Sequence, residues 1–154
     1  MGWQIDMFRV LPGQDPCKVR DVQYAWEEHA GYEVGEPRAE SDEWIAHVLA
    51  LLQAHEPAFE EDGERTVVDG GHVMHVGLVQ PAGSCIVNVY PDAVDVRGKW
   101  GYADRYDGEL FEHLWKCCRL LANEAGCAVF PNFDDDPTDM SLDIALARTI
   151  HFWA

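Results

Sequence analysis

The side chains best equipped for chemistry in this chain are its histidines, cysteines and crowded carboxylates, and their spacing decides what each set could do. His72 and His75, in Gly71-His72-Val73-Met74-His75, look like a metal-ligand pair. Residues three apart on a strand point to opposite faces, so one ion would not take both without a bulge. His47 and His55 share a face of a helical stretch, but eight residues at ~1.5 Å each leave them roughly 12 Å apart, too far for one ion. Glu28 and His29 suit the end of a helix, where a cation complements the dipole. The run Asp134-Asp135-Asp136-Pro137-Thr138-Asp139 has carboxylates at alternate positions, as a calcium loop does. It lacks the central glycine and the final bidentate glutamate of such a loop, so a solvated turn is the better reading.

Nucleophilic chemistry needs a base fixed beside the nucleophile. Cys17 follows Asp15-Pro16 near a helix start, where a thiolate is stabilised, but no spacing places His29 or His113 within reach. Ser84, in Ala82-Gly83-Ser84-Cys85, is not in a nucleophile elbow. Gly70-Gly71 lies between strand candidates and is not a phosphate loop. No catalytic, cofactor-binding or metal-ligating residue is assigned. One cluster remains: Arg97, Lys99 and Arg105 with Trp100, Tyr102 and Tyr106 could stack a base or a ligand, and Trp100, Tyr102, Arg105 and His113 could line a small pocket. The competing reading is that these rings close one end of the core.

The acids give the clearest signal. Between Glu27 and Glu64 there are twelve Asp or Glu residues against one base, Arg38, and the formal net charge of the chain is -17. Such a field repels phosphates and anionic lipids and attracts basic protein surfaces. The expected contact surface is Glu33, Glu36, Glu40, Asp42, Glu43, Glu60, Glu61 and Asp62, with Asp134, Asp135 and Asp136 as a second patch. The alternative role of these carboxylates is solubility alone. Nucleic acid is disfavoured as a partner, because the eleven Lys and Arg residues are mostly scattered singly.

Length and composition set the frame. A chain of 154 residues, 47% hydrophobic with six Trp, fits a single α+β domain over 1–154 and is too apolar for a disordered acidic chain. The longest apolar run, Trp44 to Leu52, is far short of the ~18 residues that span a bilayer, so no membrane partner is expected. The first residues lack the basic start of a signal peptide, and a cytoplasmic location is expected. Five cysteines without C-x-x-C spacing read as reduced, mostly buried thiols.

The elements that must position these groups follow from periodicity. Trp3 to Leu11 alternates as a strand and stops at Pro12-Gly13. Asp15-Pro16 caps a first helix carrying Val19, Val22, Trp26 and Ala30, ended by Gly31. Ser41 is expected to cap a second helix with Trp44, Ile45, Val48, Leu49, Leu51 and Leu52 on its apolar face. The middle reads as β: 65–69, a turn at Asp69-Gly70-Gly71, then 72–80, 85–90, and a short strand with Val94 and Val96. Asp107 caps a long helix ended by Gly126. Cys127 to Phe133 is a last strand whose Pro131 argues for a sheet edge. Leu142, Leu146, Ile150 and Trp153 could line a final helix, and that C-terminal tail could support a homo-oligomer. The order implies a mainly antiparallel sheet with helices packed on one face, a two-layer sandwich.

This arrangement resembles small acidic bacterial proteins of unassigned role and immunity proteins of polymorphic-toxin or contact-dependent systems. The likeness is carried by the opening strand Gln4-Ile5-Asp6-Met7-Phe8-Arg9-Val10, the hairpin-rich centre, and the helix Leu110 to Ala125 followed by Val129-Phe130-Pro131-Asn132. It implies a non-enzymatic inhibitor that occludes a basic toxin surface. It carries over no functional residue.

Overall fold

The computed structural model describes residues 2–21, 36–68, 70–80, 85–99 and 108–131. Strand β1 (Gly2–Arg9) leads to helix α1, described over 16–21, and then to helix α2 (Ala39–His55). The short strands β2 (Glu60–Glu61) and β3 (Thr66–Val67) precede the meander β4 (Val73–Val79), β5 (Cys85–Tyr90) and β6 (Ala93–Lys99). Helix α3 (Gly108–Glu124) and strand β7 (Cys127–Pro131) complete the described chain.

Among the described residues every strand pairing is antiparallel, and the sheet runs β2-β4-β5-β6-β1-β7, with β3 also on β4. The α+β reading holds, with α2 and α3 forming the helical layer. The meander arises because its turns suit reversal: Gly70 and Gly71 both take positive φ between β3 and β4. Pro91 and Asp92 join β5 to β6, and Asp92 has φ 59°. A proline followed by a left-handed residue is the pattern of a type II turn, and Asp tolerates that region better than most side chains. Strand β7 is an edge, as Pro131 requires. No helix among the described residues is long and apolar enough to cross a membrane.

Strand alternation divides the sheet into two faces. Ile5 and Met7, Val76 and Leu78, Val87 and Val89, Val94 and Val96, and Cys127 and Val129 all enter one core. Against them pack Trp44, Ile45, Val48, Leu49 and Leu52 of α2 and Trp115, Cys117, Cys118 and Leu121 of α3. A smaller cluster, Phe8, Ala93 and Phe130, occupies the other face, where Cys17 and Val19 from the start of α1 pack on it. The Arg20 guanidinium lies 4.9 Å from the Phe130 ring centre, a cation–π contact.

Helix starts and stops explain how these pieces are oriented. The Cys17 amide donates to Asp15 Oδ1 at 2.9 Å, the cap expected from Asp15-Pro16. Helix α2 departs from expectation. It begins at Ala39 with Arg38 at the cap position, and Ser41 sits buried inside the first turn. Its hydroxyl accepts from the Arg38 amide at 2.9 Å and donates to the Arg38 carbonyl at 2.8 Å, so it caps from within by folding back. At the far end of α3, Gly126 has φ 70°, and its carbonyl accepts from the Val10 amide at 2.9 Å. A Cβ there would crowd the Val10 carbonyl oxygen at 3.4 Å. Trp44 Nε1 donates to the Ala125 carbonyl and His47 Nε2 to the Glu124 carbonyl, both at 3.0 Å. Side chains of α2 thus satisfy carbonyls that α3 leaves open at its C-terminus.

The Ser41→Ala substitution removes both bonds to Arg38 and is expected to destabilise the protein by about 1 kcal/mol, measured by urea unfolding.

Candidate functional site

The second face of the sheet carries a polar row that crosses four strands. Gly77, Asn88, Asp95 and Asp6 occupy successive positions on β4, β5, β6 and β1. Asp95 must point there because Val94 and Val96 face the core. Its carboxylate is nearly fully buried, at 3% exposure, and buried charge is costly unless it is paired. Arg97 meets it with a two-point fork, Nε at 3.2 Å and Nη2 at 3.3 Å. Asn88 Nδ2 donates to Asp95 Oδ1 at 2.8 Å, and Asn88 Oδ1 stands 2.8 Å from His75 Nε2.

Donor and acceptor bookkeeping fixes the direction of this row. An ionised carboxylate only accepts, so the Asn88 amide turns its NH2 to Asp95 and its oxygen to His75. His75 Nε2 must then carry a proton and donate. Tyr90 lies beside this ring, with centroids 5.0 Å apart. Gly77 leaves the neighbouring position without a side chain; a Cβ there would make ordinary contacts with His75, Asn88 and Asp62 at 3.6 to 3.7 Å. The row can hold a histidine in one tautomer and lock the register of three strands. No hydroxyl or thiol nucleophile forms part of it.

His72 and His75 diverge, as their spacing requires. His72 leaves the row and meets α2, where its Nδ1 is 2.7 Å from Asp42 Oδ2. Asp42 Oδ1 accepts from the Val73 amide at 2.8 Å. The hydrogen bond from His72, followed by that from Val73, holds the Asp42 carboxyl below the usual carboxylate range. This contact pins the start of α2 to the hairpin between β3 and β4.

The remaining expected contact residues fall into two groups. Glu36, Glu40 and Glu43 are exposed near the start of α2, with Asp42 half-buried among them. Glu60, Glu61 and Asp62 lie along the sheet edge, and every residue of 60–67 is exposed. The Asp42 end touches Val73, whereas Glu60 pairs with Val79, so six residues of β4 separate the groups by roughly 20 Å. The structure therefore does not merge them into one patch. The edge group is held firmly: the Asp62 amide donates to the Gly77 carbonyl at 2.8 Å, and Arg65 forks onto Glu61 at 2.6 and 3.1 Å. That pairing lowers the Glu61 pKa. Glu33, the loop with Trp100, Tyr102 and Arg105, the run Asp134, Asp135 and Asp136, and the tail after it lie outside the described residues. His113 belongs to α3, but its side chain is not among those described.

Cysteine chemistry finds no outlet in the core. Burial pushes the thiols of Cys117 and Cys127 up to about 12, so neither forms a thiolate at neutral pH. Among the described residues no group of three or more His, Cys, Asp or Glu side chains is arranged to hold a metal ion.

Two substitutions test these arrangements. Asn88→Leu leaves the buried Asp95 without one of its donors and is expected to destabilise by about 2 kcal/mol in urea unfolding. Asp42→Asn is expected to destabilise by roughly 1 kcal/mol at neutral pH. A carboxyl whose folded pKa is depressed contributes stability above its unfolded pKa and loses it as pH falls through the folded value. The difference between Asp42→Asn and the unaltered protein should therefore be full well above the ordinary aspartate value of 3.8, shrink as pH falls below it and vanish only below the depressed folded value.

Comparison with protein-family models, with curated proteins and with solved structures finds no match for this chain, so its function is read from its own charge and geometry.

Proposed function

We propose that this chain is a non-enzymatic binding protein that docks its acidic sheet edge onto a basic protein surface, in the manner of an immunity or inhibitor protein covering a toxin. The carrying observation is the exposed run 60–67. It presents Glu60, Glu61, Asp62 and Glu64 against one base, Arg65, which is already committed to Glu61.

Three properties of this edge suit charge-led recognition. Strands β2 and β3 have two residues each, and a short, charged edge discourages addition of a partner strand. Contact therefore falls to side chains. The run is fixed to β4 by backbone pairing at both ends, so little ordering cost accompanies docking. Val67, 54% exposed, adds an apolar contact beside the carboxylates. The net charge of -17 steers a cationic partner toward the molecule over a longer range.

The test is affinity capture from the native lysate at low ionic strength, followed by identification and purification of the retained protein. A basic partner is expected, with binding that weakens as salt rises. The Glu60→Lys, Glu61→Lys and Asp62→Lys changes together should slow association by about tenfold or more. Capture that is indifferent to salt and to this triple reversal would exclude the edge as the docking surface.

A further inference from the structure

Arginine and lysine are scarce in this chain, with 11 against 28 acids, yet three of them converge on one cleft of about 410 Å³. Arg9 enters from the end of β1, Lys18 from α1 and Arg38 from the start of α2. Asp92, at the left-handed position of the β5–β6 turn, sits between the two guanidinium groups. Its Oδ1 accepts from Arg9 Nη1 at 3.3 Å and its Oδ2 from Arg38 Nη1 at 2.6 Å. Both oxygens are thereby used; Arg38 Nη1 also donates to the Glu36 carbonyl at 3.2 Å and its Nε lies 3.8 Å from Glu40, yet each guanidinium, with five N–H donors, has more than these contacts engage. Lys18 is exposed and has no ion-pair partner among the described residues. Leu11 and Val19 supply apolar wall, and Leu11 is 48% exposed.

We infer that this cleft binds a small organic carboxylate with an apolar body, its head taken by Arg9, Lys18 and Arg38 and its body laid on Leu11 and Val19. The size lies within the range of small-molecule sites, and a few converging polar groups on an apolar wall are their usual composition. Planar guanidinium groups match a carboxylate by paired donors. The lining sets Asp92 and Asp15 against three cations, and Glu40 stands 3.8 Å from Arg38, in a molecule whose net charge repels anions. Planar paired donors and the apolar wall, rather than an excess of charge, therefore select the head group. The apolar wall excludes small inorganic anions from most of the available contact.

Calorimetric titration of the full chain decides the matter, with sodium hexanoate, N-acetyl-glycyl-leucine, hexanol and sodium phosphate as probes. Saturable binding of hexanoate supports a free acid as the natural occupant, and preference for the dipeptide supports a peptide C-terminus; both have the inferred chemistry. Lys18→Gln, an exposed change that leaves Asp92 and both arginines intact, should weaken either probe by about tenfold with an unchanged urea midpoint. Hexanol should bind far more weakly than hexanoate. The inference is overturned if neither carboxylate binds saturably, if phosphate binds as tightly as hexanoate, or if Lys18→Gln binds both probes as the unaltered chain does.

Discussion

A carboxylate set between two core valines governs the second face of this sheet. Val94 and Val96 must turn inward, so Asp95 is driven to the opposite side, where it is nearly sealed from water. Leaving such a group without donors would cost more than any single hydrogen bond returns. Arg97 and Asn88 supply the donors, and orienting Asn88 toward Asp95 in turn dictates what His75 presents. The same contacts discriminate against slippage. A shift of one residue between β5 and β6 would bring valines to the polar side and leave Asp95 among the helices.

The described cations are mostly spent inside the molecule. Arg9 and Arg38 hold Asp92, Arg97 holds Asp95, and Arg65 holds Glu61. Arg9 and Arg38 bring the end of β1 and the start of α2 onto the β5–β6 turn, whereas Arg97 pairs within its own strand and Arg65 with the neighbouring β2. The consequence is an uneven distribution of sign. Among the described residues, Glu60, Asp62 and Glu64 gather without ion-pair partners on the exposed stretch after α2, while three of the cations meet, together with carboxylates, where β1, α1, α2 and the β5–β6 turn converge. One end of the sheet's helical layer therefore differs from its acidic edge in electrostatic character, and the two regions can serve separate ligands.

Local rules read most of the fold from the sequence. Alternation identified β1, β4 and β5, the paired glycines located the hairpin before β4, Gly126 marked the end of α3, and Pro131 placed β7 at an edge. What escaped was set by distance along the chain. Glu60-Glu61 has poor strand propensity, and only its pairing with β4 makes β2 a strand. The start of α2 was displaced because Ser41 caps by reaching back to Arg38, an arrangement that its type and position do not distinguish from an ordinary cap. The acidic edge was legible as composition, since a charged run needs no tertiary contact to be exposed. The row through Asp95 and the cleft around Asp92 were not. An aspartate between valines signals a special position, but its partners Asn88 and Arg97 become visible only once the register of three strands is known. Asp92, Arg9 and Arg38 are likewise far apart in sequence.

The placement of β1 between β6 and β7 has a bearing on how the protein is made. Strand β1 is synthesised before either of its partners, gaining one neighbour only with β6 and its second only with Cys127–Pro131. Until then its backbone donors and acceptors present an unfilled margin, the kind of surface on which nascent chains associate. Closing a sheet through partners so remote along the polypeptide is intrinsically slow. During that interval the surplus of negative charge keeps unfinished molecules apart.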